Sequence, residues 1–220
     1  MKLLNILGPV MIGPSSSHTA GAARIGRIAL HLRGERGVRA QIDFHGSFAK
    51  TGNGHGTDRA VVGGLMDMST DDERLRDSIR LARESGMEVV FSTVELKEAH
   101  PNTVRLRLTG ENGKQIEVVA ASVGGGSVEV QEIDGLPMHF TGEAHTLIIA
   151  HKDTPGIIAS VSSLLAGASV NIATMRVARE GAGKKAIMVL ELDVLPDQVI
   201  IGALRAMTSI SGVTLLKKLV

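Results

Sequence analysis

The sequence predicts an α+β fold in two domains, and two differences along the chain support this prediction. Residues 145–220 alternate short apolar runs with segments of helical periodicity, in the order expected of a ferredoxin-like βαββαβ unit. Residues 1–140 mix helical and strand-like segments and contain more glycine, which is typical of an α/β sandwich. Residues 135–144, with Pro137 and Gly142, read as the linker between the two domains.

Start and stop signals define the helices of the C-terminal domain, 145–220. Ile157, Val161 and Leu165 recur at helical spacing, and Gly167 is placed to end that helix. Asp197, after a proline, opens the second helix. Apolar, β-rich runs predict four strands, which cover residues 146–151, 170–178, 186–194 and 213–219.

The N-terminal domain, 1–140, is predicted to begin its regular structure with a helix over residues 17–32. That helix has one apolar face, made by Ala22, Ile25, Ala29 and Leu32. A strand, a glycine-rich loop and two further helices are predicted next, over residues 39–45, 46–57, 58–66 and 71–85. Four strands that could pair antiparallel complete the domain, over residues 88–95, 102–109, 115–122 and 127–133.

The composition argues against several classes of partner. The chain carries 24 Lys and Arg against 23 Asp and Glu, so bulk charge would not hold it on a nucleic acid or an anionic membrane. The composition also argues against nucleotide binding by stacking on aromatic side chains, because the 220 residues include no Trp, no Tyr and four Phe. The core must therefore consist of aliphatic side chains and methionine.

Cysteine is absent from the sequence. The chain therefore offers no cysteine nucleophile and no thiolate ligand for zinc or an iron–sulfur centre. The first ten residues show no secretory leader, and no apolar run reaches the length of a membrane span. From these features we expect a cytoplasmic location.

Residues 13–19 concentrate polar side chains just before the first predicted helix. They include three serines and the two residues that follow, Ser15, Ser16, Ser17, His18 and Thr19. One serine is enough to cap the helix, so the other hydroxyls and the free N–H groups at the helix start can receive a carboxylate. His18 is the natural proton donor or acceptor, because histidine titrates near pH ~6.5. The alternative is a capping cluster beside an exposed histidine.

Residues 50–58, Lys-Thr-Gly-Asn-Gly-His-Gly-Thr-Asp, form a second candidate segment between a strand and a helix. Its alternating glycines permit positive φ angles and a close approach to a ligand, and His55 stands between two of them. The spacing matches neither a dinucleotide fingerprint nor a P-loop. The alternative is a tight polar turn with a solvent-facing histidine.

A metal site within this chain is not predicted. His18, His55 and Asp58 are candidate ligands, but no two histidines stand four residues apart and no carboxylate is clearly paired with them. We therefore expect no metal ligand in this chain.

The pattern of residues 145–220 resembles the ACT domain, a small amino-acid-sensing module. The turn at residues 153–156 matches the loop of that family after its first strand, and residues 170–172 match its entry to the second strand. In that family a ligand lies against this turn at a subunit interface. The resemblance thus implies a regulatory site formed by Asp153, Thr154, Pro155, Gly156, Asn171 and Ile172. In the alternative, Asp153 and Thr154 only cap the helix and the module is an assembly surface.

The whole chain resembles the β chain of bacterial iron–sulfur-dependent L-serine dehydratase, the two-chain type with a C-terminal ACT domain. The motifs that carry the resemblance are residues 13–19, His45-Gly46-Ser47-Phe48-Ala49, residues 51–58 and the turn Gly124-Gly125-Gly126-Ser127. The N-terminal domain would then share the fold of the allosteric substrate-binding domain of some phosphoglycerate dehydrogenases.

The resemblance implies an ammonia-lyase subunit that takes part in converting L-serine to pyruvate and ammonia. The family's [4Fe-4S] cluster is ligated by the α chain, which agrees with a β chain that has no cysteine. His18 and His55 are then expected to transfer protons or orient the substrate, without the sequence assigning which does which. Substrate binding is expected from residues of both segments: Ser15, Ser16, Ser17, Thr19, Asn53, Gly54 and Thr57.

Two other classes of function stay open at this point. The chain could be a purely regulatory serine-sensing subunit, with all chemistry in its partner. It could also be a free-standing ACT-type regulatory protein with no enzyme partner. The expected partners are the L-serine dehydratase α subunit, L-serine and a second copy of the chain bound through the ACT domain.

Overall fold

The computed structural model describes residues 10–218, apart from the side chain of Asn53 and the surroundings of Gly52. The end of the last predicted strand, at Leu219, lies outside these residues. Internal contacts divide the chain into two compact units, Met1–Gly135 and Leu136–Val220. Helices and strands occur in both units, so the predicted α+β class is confirmed.

The first unit opens with a π-helical turn that continues into an α-helix. Its elements in chain order are the π-helical turn Ser16–Gly21, α1 (Ala22–Arg33), β1 (Gly37–Phe44), α2 (Gly46–His55), α3 (Thr57–Leu65), a 3₁₀ helix (Glu73–Asp77), α4 (Ser78–Glu84), β2 (Glu88–Thr93), β3 (Thr103–Gly110), β4 (Gln115–Gly124) and β5 (Ser127–Ile133). The charged helix predicted over residues 71–85 is thus divided into a 3₁₀ segment and α4.

The strands of the first unit lie in the order β2-β1-β3-β4-β5. The predicted antiparallel pairing holds for β3, β4 and β5. It is wrong for β2, which pairs parallel with β1, for example Ala40 beside Val89. The reason is the crossover: α2, α3 and α4 lie between the two strands, and a helical crossover returns the chain in the same direction.

The core of the first unit forms between α1, α3 and the sheet. The predicted apolar face of α1 is buried, with Ile25 and Ala29 fully enclosed. Two glycines allow α1 and α3 to approach each other closely. A Cβ at Gly26 would overlap the carbonyl O of Val61, and one at Gly64 would overlap the carbonyl O of Ala23. The two helix backbones are therefore in direct contact.

Residues 46–57 are predicted as a glycine-rich loop, and this prediction is wrong. They form α2 (Gly46–His55), which meets α3 at Gly56 in the left-handed conformation, φ 70°. The fully buried ring of Phe48 anchors α2 in the core. The N–H of Ser47 donates to the carbonyl O of Pro101 at 2.7 Å. This tertiary anchoring outweighs the unfavourable helix propensity of the glycines.

The second unit contains the predicted βαββαβ pattern preceded by one more strand. Its elements are β6 (Leu136–Phe140), β7 (His145–Lys152), α5 (Ile157–Gly167), β8 (Ile172–Arg179), β9 (Lys185–Leu192), α6 (Gln198–Arg205) and β10 (Ile210–Leu216). The four strands that follow β6 form an antiparallel sheet of order β10-β7-β9-β8. Asp197 caps α6 by accepting from the N–H of Ile200 at 2.9 Å, as its position predicts.

The structure adds two details to this unit. The predicted linker contains β6. Alternate residues of this strand, Leu136, Met138 and Phe140, are buried. The first helix begins at Ile157 after Gly156 and has no side-chain cap, so Asp153 and Thr154 do not cap it.

Within the part of the chain that the structure describes, every helix is too short or too polar to cross a bilayer.

We expect Gly64→Ala to destabilise the first unit, although alanine normally favours a helix over glycine. The added Cβ would overlap the carbonyl O of Ala23, and such overpacking costs about 1–3 kcal/mol. Urea unfolding followed by circular dichroism should show a lower midpoint for the transition of that unit.

The matched control for this change is Gly202→Ala in α6, where an added Cβ meets no atom within 4 Å. It should raise the free energy of unfolding by about 0.5–1 kcal/mol, because the new residue only limits the unfolded chain. A Gly64→Ala chain as stable as the unchanged one would contradict the close contact of α1 and α3.

Candidate active site

The serine segment forms the start of the first helix. Ser15 is the N-cap residue, with extended backbone at φ −139° and ψ 122°, and its Oγ accepts from the N–H of His18 at 3.2 Å. The N–H of Thr19 donates to the carbonyl O of Ser15 at 2.8 Å. One serine therefore satisfies the capping requirement, as the sequence predicts. The π-helical turn Ser16–Gly21 then presents His18 toward α2.

Three hydroxyl groups hold the ring of His18 through both of its nitrogens. Nδ1 lies 3.3 Å from Ser15 Oγ, and Nε2 lies 3.0 Å from Thr51 Oγ1 and 3.3 Å from Ser47 Oγ. The Thr51 hydroxyl donates its own proton to the carbonyl O of Ser47 at 2.9 Å, so it accepts from His18. This pattern is satisfied when Nε2 carries the proton and Nδ1 accepts from Ser15.

The surroundings of His18 favour its neutral form. Partial burial lowers the pKa of His18 below its ordinary 6.5, and repulsion from His55 lowers the pKa further. A hydrogen bond to the backbone of Ser47 acts in the opposite direction and raises the pKa of His18. The ring also makes an edge contact with Phe48, at a centroid distance of 5.2 Å. A neutral, immobilised imidazole results.

His55 lies beside His18 at the C-terminal end of α2. The two ring centroids are 5.0 Å apart. Nδ1 of His55 lies 3.0 Å from the carbonyl O of Thr51, one helical turn earlier, and this oxygen can only accept. Nδ1 therefore carries the proton of the neutral ring, and Nε2 has a lone pair available. Within the described residues Nε2 has no hydrogen-bond partner.

A cavity of about 250 Å³ opens beside His55. It is lined by residues from the serine segment, the junction of α2 with α3, and the 3₁₀ helix: Ile12, Gly13, Pro14, Thr19, Gly54, His55, Gly56, Arg59, Ala60, Leu75 and Arg76. The two segments singled out in the sequence thus meet at one cavity, although 36 residues separate Thr19 from His55 in the chain.

The predicted residues of the serine segment are placed differently from one another. Thr19 is buried, lines the cavity, and its hydroxyl lies 3.4 Å from the carbonyl O of His55. Ser16 and Ser17 form the first turn and are partly buried, and their hydroxyls have no partner among the described residues. Their donors therefore stay available to a ligand or a partner chain.

The predicted residues of the second segment are also divided. Gly54 lines the cavity. Thr57 is fully buried in the first turn of α3, and its hydroxyl has no partner in the described part of the chain. The backbone of Asn53 belongs to α2, while its side chain lies outside the described residues.

Sequence reasoning misses four residues that the structure brings to this site. Ser47 and Thr51 hold His18, and their spacing of four residues would have indicated one helix face if residues 46–55 had been read as a helix. Arg59 and Arg76 line the cavity. Arg59 follows the second motif directly, but nothing in the sequence brings Arg76 near it.

Among the residues that the structure describes, none fits an iron–sulfur cluster. The sequence has no cysteine to provide thiolate ligands. Over residues 10–218 no group of three or more His, Asp or Glu side chains is arranged to hold a metal ion.

The second unit has its own cavity, of about 630 Å³, at the turn after β7. It is lined by Lys152, Asp153, Thr154, Pro155, Gly156, Ile157, Ile158, Arg179, Ala182 and Gly183. Asp153 is paired with Arg179 at 2.7 Å instead of capping α5. Four of the six predicted regulatory residues therefore lie on one cavity.

The other two predicted regulatory residues lie at the entry to β8. The Asn171 side chain donates to Asp193 at 2.7 Å. Ile172 begins β8 and packs against the apolar core of the second unit. Neither residue lines the cavity at the turn after β7.

Family models match both units of the chain. Residues 6–86 match the serine dehydratase beta chain family, and residues 145–208 match the ACT domain. The first match contains both histidine segments, and the second contains the turn at residues 153–156. These matches indicate the class of serine dehydratase beta chains that carry an ACT domain.

Individual relatives extend this match over nearly the whole chain. A probable L-serine dehydratase beta chain of Bacillus subtilis is 42% identical over 97% of this chain and 96% of its own length. The L-serine dehydratase beta chain of Peptoniphilus asaccharolyticus is 37% identical over 86% and 85%. The chain belongs to the L-serine dehydratase beta-chain family, which confirms the resemblance seen in the sequence.

A more distant relative is the D-3-phosphoglycerate dehydrogenase of Synechocystis. It is 28% identical over 87% of this chain, which corresponds to 34% of the dehydrogenase. The similarity agrees with the resemblance to a domain of such dehydrogenases noted in the sequence.

The coupling between the two histidines is testable by NMR titration of the imidazole protons. We expect the pKa of His18 to lie below its ordinary value, and to rise in His55→Gln because the repulsion between the two rings is removed. Replacing the exposed His139 by Gln should leave the pKa of His18 unchanged. A His18 pKa that is equal in all three chains would contradict the coupling.

Proposed function

We propose that this chain is the β subunit of a cytoplasmic, two-chain L-serine dehydratase, which converts L-serine to pyruvate and ammonia. The observation that carries this proposal is the pair His18 and His55, whose ring centroids are 5.0 Å apart and of which His55 lines a cavity. Membership of the beta-chain family supports an α subunit as partner. The open cavity beside His55 is where the two chains would enclose the substrate.

His55 is the proton acceptor in this proposal. Its Nδ1–H is held by the carbonyl O of Thr51 at 3.0 Å, which leaves the Nε2 lone pair free. His55 also lines the cavity, whereas His18 does not. A base needs a free lone pair at the substrate, so Nε2 of His55 would remove the α-proton of serine.

His18 is a positioning residue in this proposal. Both of its ring nitrogens are engaged by hydroxyl groups, so it has no lone pair to offer the substrate. Because its pKa is lowered, it remains neutral and does not place a second positive charge beside His55 as that ring gains a proton. The hydroxyls of Ser15, Ser47 and Thr51 keep it in this state.

The reaction removes the α-proton and the hydroxyl of serine as one molecule of water and leaves aminoacrylate. The aminoacrylate becomes an imine, which takes up one water and releases ammonia and pyruvate. The [4Fe-4S] cluster of the family would belong to the α chain, because this chain has no cysteine. The part of this chain is to bind the substrate and move the α-proton.

The test is serine deamination by the two chains reconstituted under anaerobic conditions. His55→Gln should lower kcat by about 100-fold or more, the usual contribution of a general base. His18→Gln should lower kcat less. Substituting the exposed His139 on β6 by Gln is the control and should have no effect. Full turnover in His55→Gln would remove this residue from the mechanism.

We also propose that the cavity after β7 binds a regulatory amino acid. Asp153 and Arg179 present opposite charges at its wall, which suits the ammonium and carboxylate groups of such a ligand.

Asp153→Ala should shift the serine response curve of the reconstituted enzyme while maximal turnover stays the same. An unchanged response curve would reduce the second unit to an assembly role.

Self-association through the second unit is part of this proposal. β8 is at the edge of its sheet, and its apolar residues Met175 and Val177 are 36% and 40% exposed. An exposed apolar edge strand is suited to pairing with a second copy. Sedimentation of the chain should show a dimer, and replacing Val177 by Lys should weaken it. A monomer at micromolar concentration would contradict this role of β8.

A further inference from the structure

The cavity beside His55 has a positively charged lining. Arg59 of α3 and Arg76 of the 3₁₀ helix both line it, and no Asp or Glu is among the described residues of its lining. In this part of the chain most arginines near the surface are paired with acids, such as Arg74 with Asp72 at 2.6 Å and Arg80 with Glu84 at 2.9 Å. Within the described residues Arg59 and Arg76 have no such partner.

The two arginines are carried by elements that are fixed to each other. The buried Ser78, at the start of α4, donates its hydroxyl proton to the carbonyl O of Arg59 at 2.6 Å. The buried Leu75, next to Arg76, fills the space over Gly63 of α3. This packing sets the position of the 3₁₀ helix against α3. The backbones of both arginines are therefore held in fixed positions beside the same cavity.

A guanidinium group without an acidic partner is well suited to a carboxylate. It donates two parallel hydrogen bonds to the two oxygens, and the bonds are strengthened by charge. The cavity also lies at the N-terminal end of α3, where the helix dipole favours negative charge. Its volume of about 250 Å³ leaves room for a three-carbon amino acid next to His55.

We infer that Arg59 and Arg76 form the subsite that binds the carboxylate of the substrate. This inference rests on the proposed function, because it places the α-carbon of the same serine against Nε2 of His55. The sequence led us to expect that the serine hydroxyls of residues 15–17 bind the carboxylate. This inference assigns carboxylate binding to the two arginines instead. In the structure Ser15 holds His18 and does not line the cavity.

Steady-state kinetics of the reconstituted two-chain enzyme test the subsite. Arg59→Gln and Arg76→Gln should each raise the KM for L-serine by about ten-fold or more, as expected for the loss of a charged hydrogen bond. Because the base His55 is intact, kcat should change by less than about two-fold. Arg59→Lys should recover part of the affinity, since it retains the charge. The matched control is Arg83→Gln, an exposed arginine of α4 outside the cavity, which should leave KM unchanged.

Inhibition by carboxylate analogues separates a binding role from a structural one. D-serine carries the carboxylate and serinol lacks it. In both Gln variants the inhibition constant of D-serine should rise about ten-fold, in line with one lost charged hydrogen bond, while that of serinol stays the same. The two-arginine subsite would be overturned if, in either variant, the KM for L-serine and the inhibition constant of D-serine were unchanged. It would also be overturned if the inhibition constant of serinol rose as much as that of D-serine.

A binding measurement distinguishes this subsite from the proposed function. The ¹⁵N-labelled full-length chain is titrated with L-serine and with serinol, and the amide signals of Arg59 and Arg76 are followed. If the unchanged pair of chains deaminates no serine, the proposed function fails, but shifts with L-serine alone still support the subsite. If the pair is active and these signals respond equally to both probes, or to neither, the subsite is overturned.

Discussion

The direct backbone contact between α1 and α3 is the constraint on which the site depends. It exists because neither Gly26 nor Gly64 has a Cβ at the point where the two helices meet. α1 continues from the turn that carries His18, and α3 follows α2, which ends at His55. Fixing the two helices against each other therefore fixes the two histidines, whose ring centroids lie 5.0 Å apart.

Burial and hydrogen bonding give the two histidines different chemical properties. His18 is partly desolvated and engaged at both nitrogens, so it stays neutral and immobile. His55 is held at one nitrogen only and faces the cavity with the other. Two residues that look equivalent in the sequence thus differ in the structure, and the proposed mechanism uses one as the positioning group and the other as the base.

The sequence predicts most of the fold because local signals agree with the tertiary environment. The apolar face of α1, the cap at Asp197 and the strands β3 to β5 follow from periodicity and turn chemistry. The prediction fails where packing overrides propensity. Glycines at positions 46, 52 and 54 favour a loop, but the buried ring of Phe48 and the bond to Pro101 stabilise a helix. The parallel pairing of β2 depends on its place beside β1 in the sheet, which no local signal describes.

The sequence by itself determined the family, the ACT pattern, and the absence of cysteine, because these are properties of residue identity and spacing. It also singled out His18 and His55 as the residues to examine. Only the tertiary structure decided that both nitrogens of His18 are engaged, that Nε2 of His55 is free, and which cations line the cavity with His55. Arg76 lines the cavity because Leu75 and Ser78 pack on α3. This packing joins segments that are distant in the chain, so residue spacing alone does not predict it.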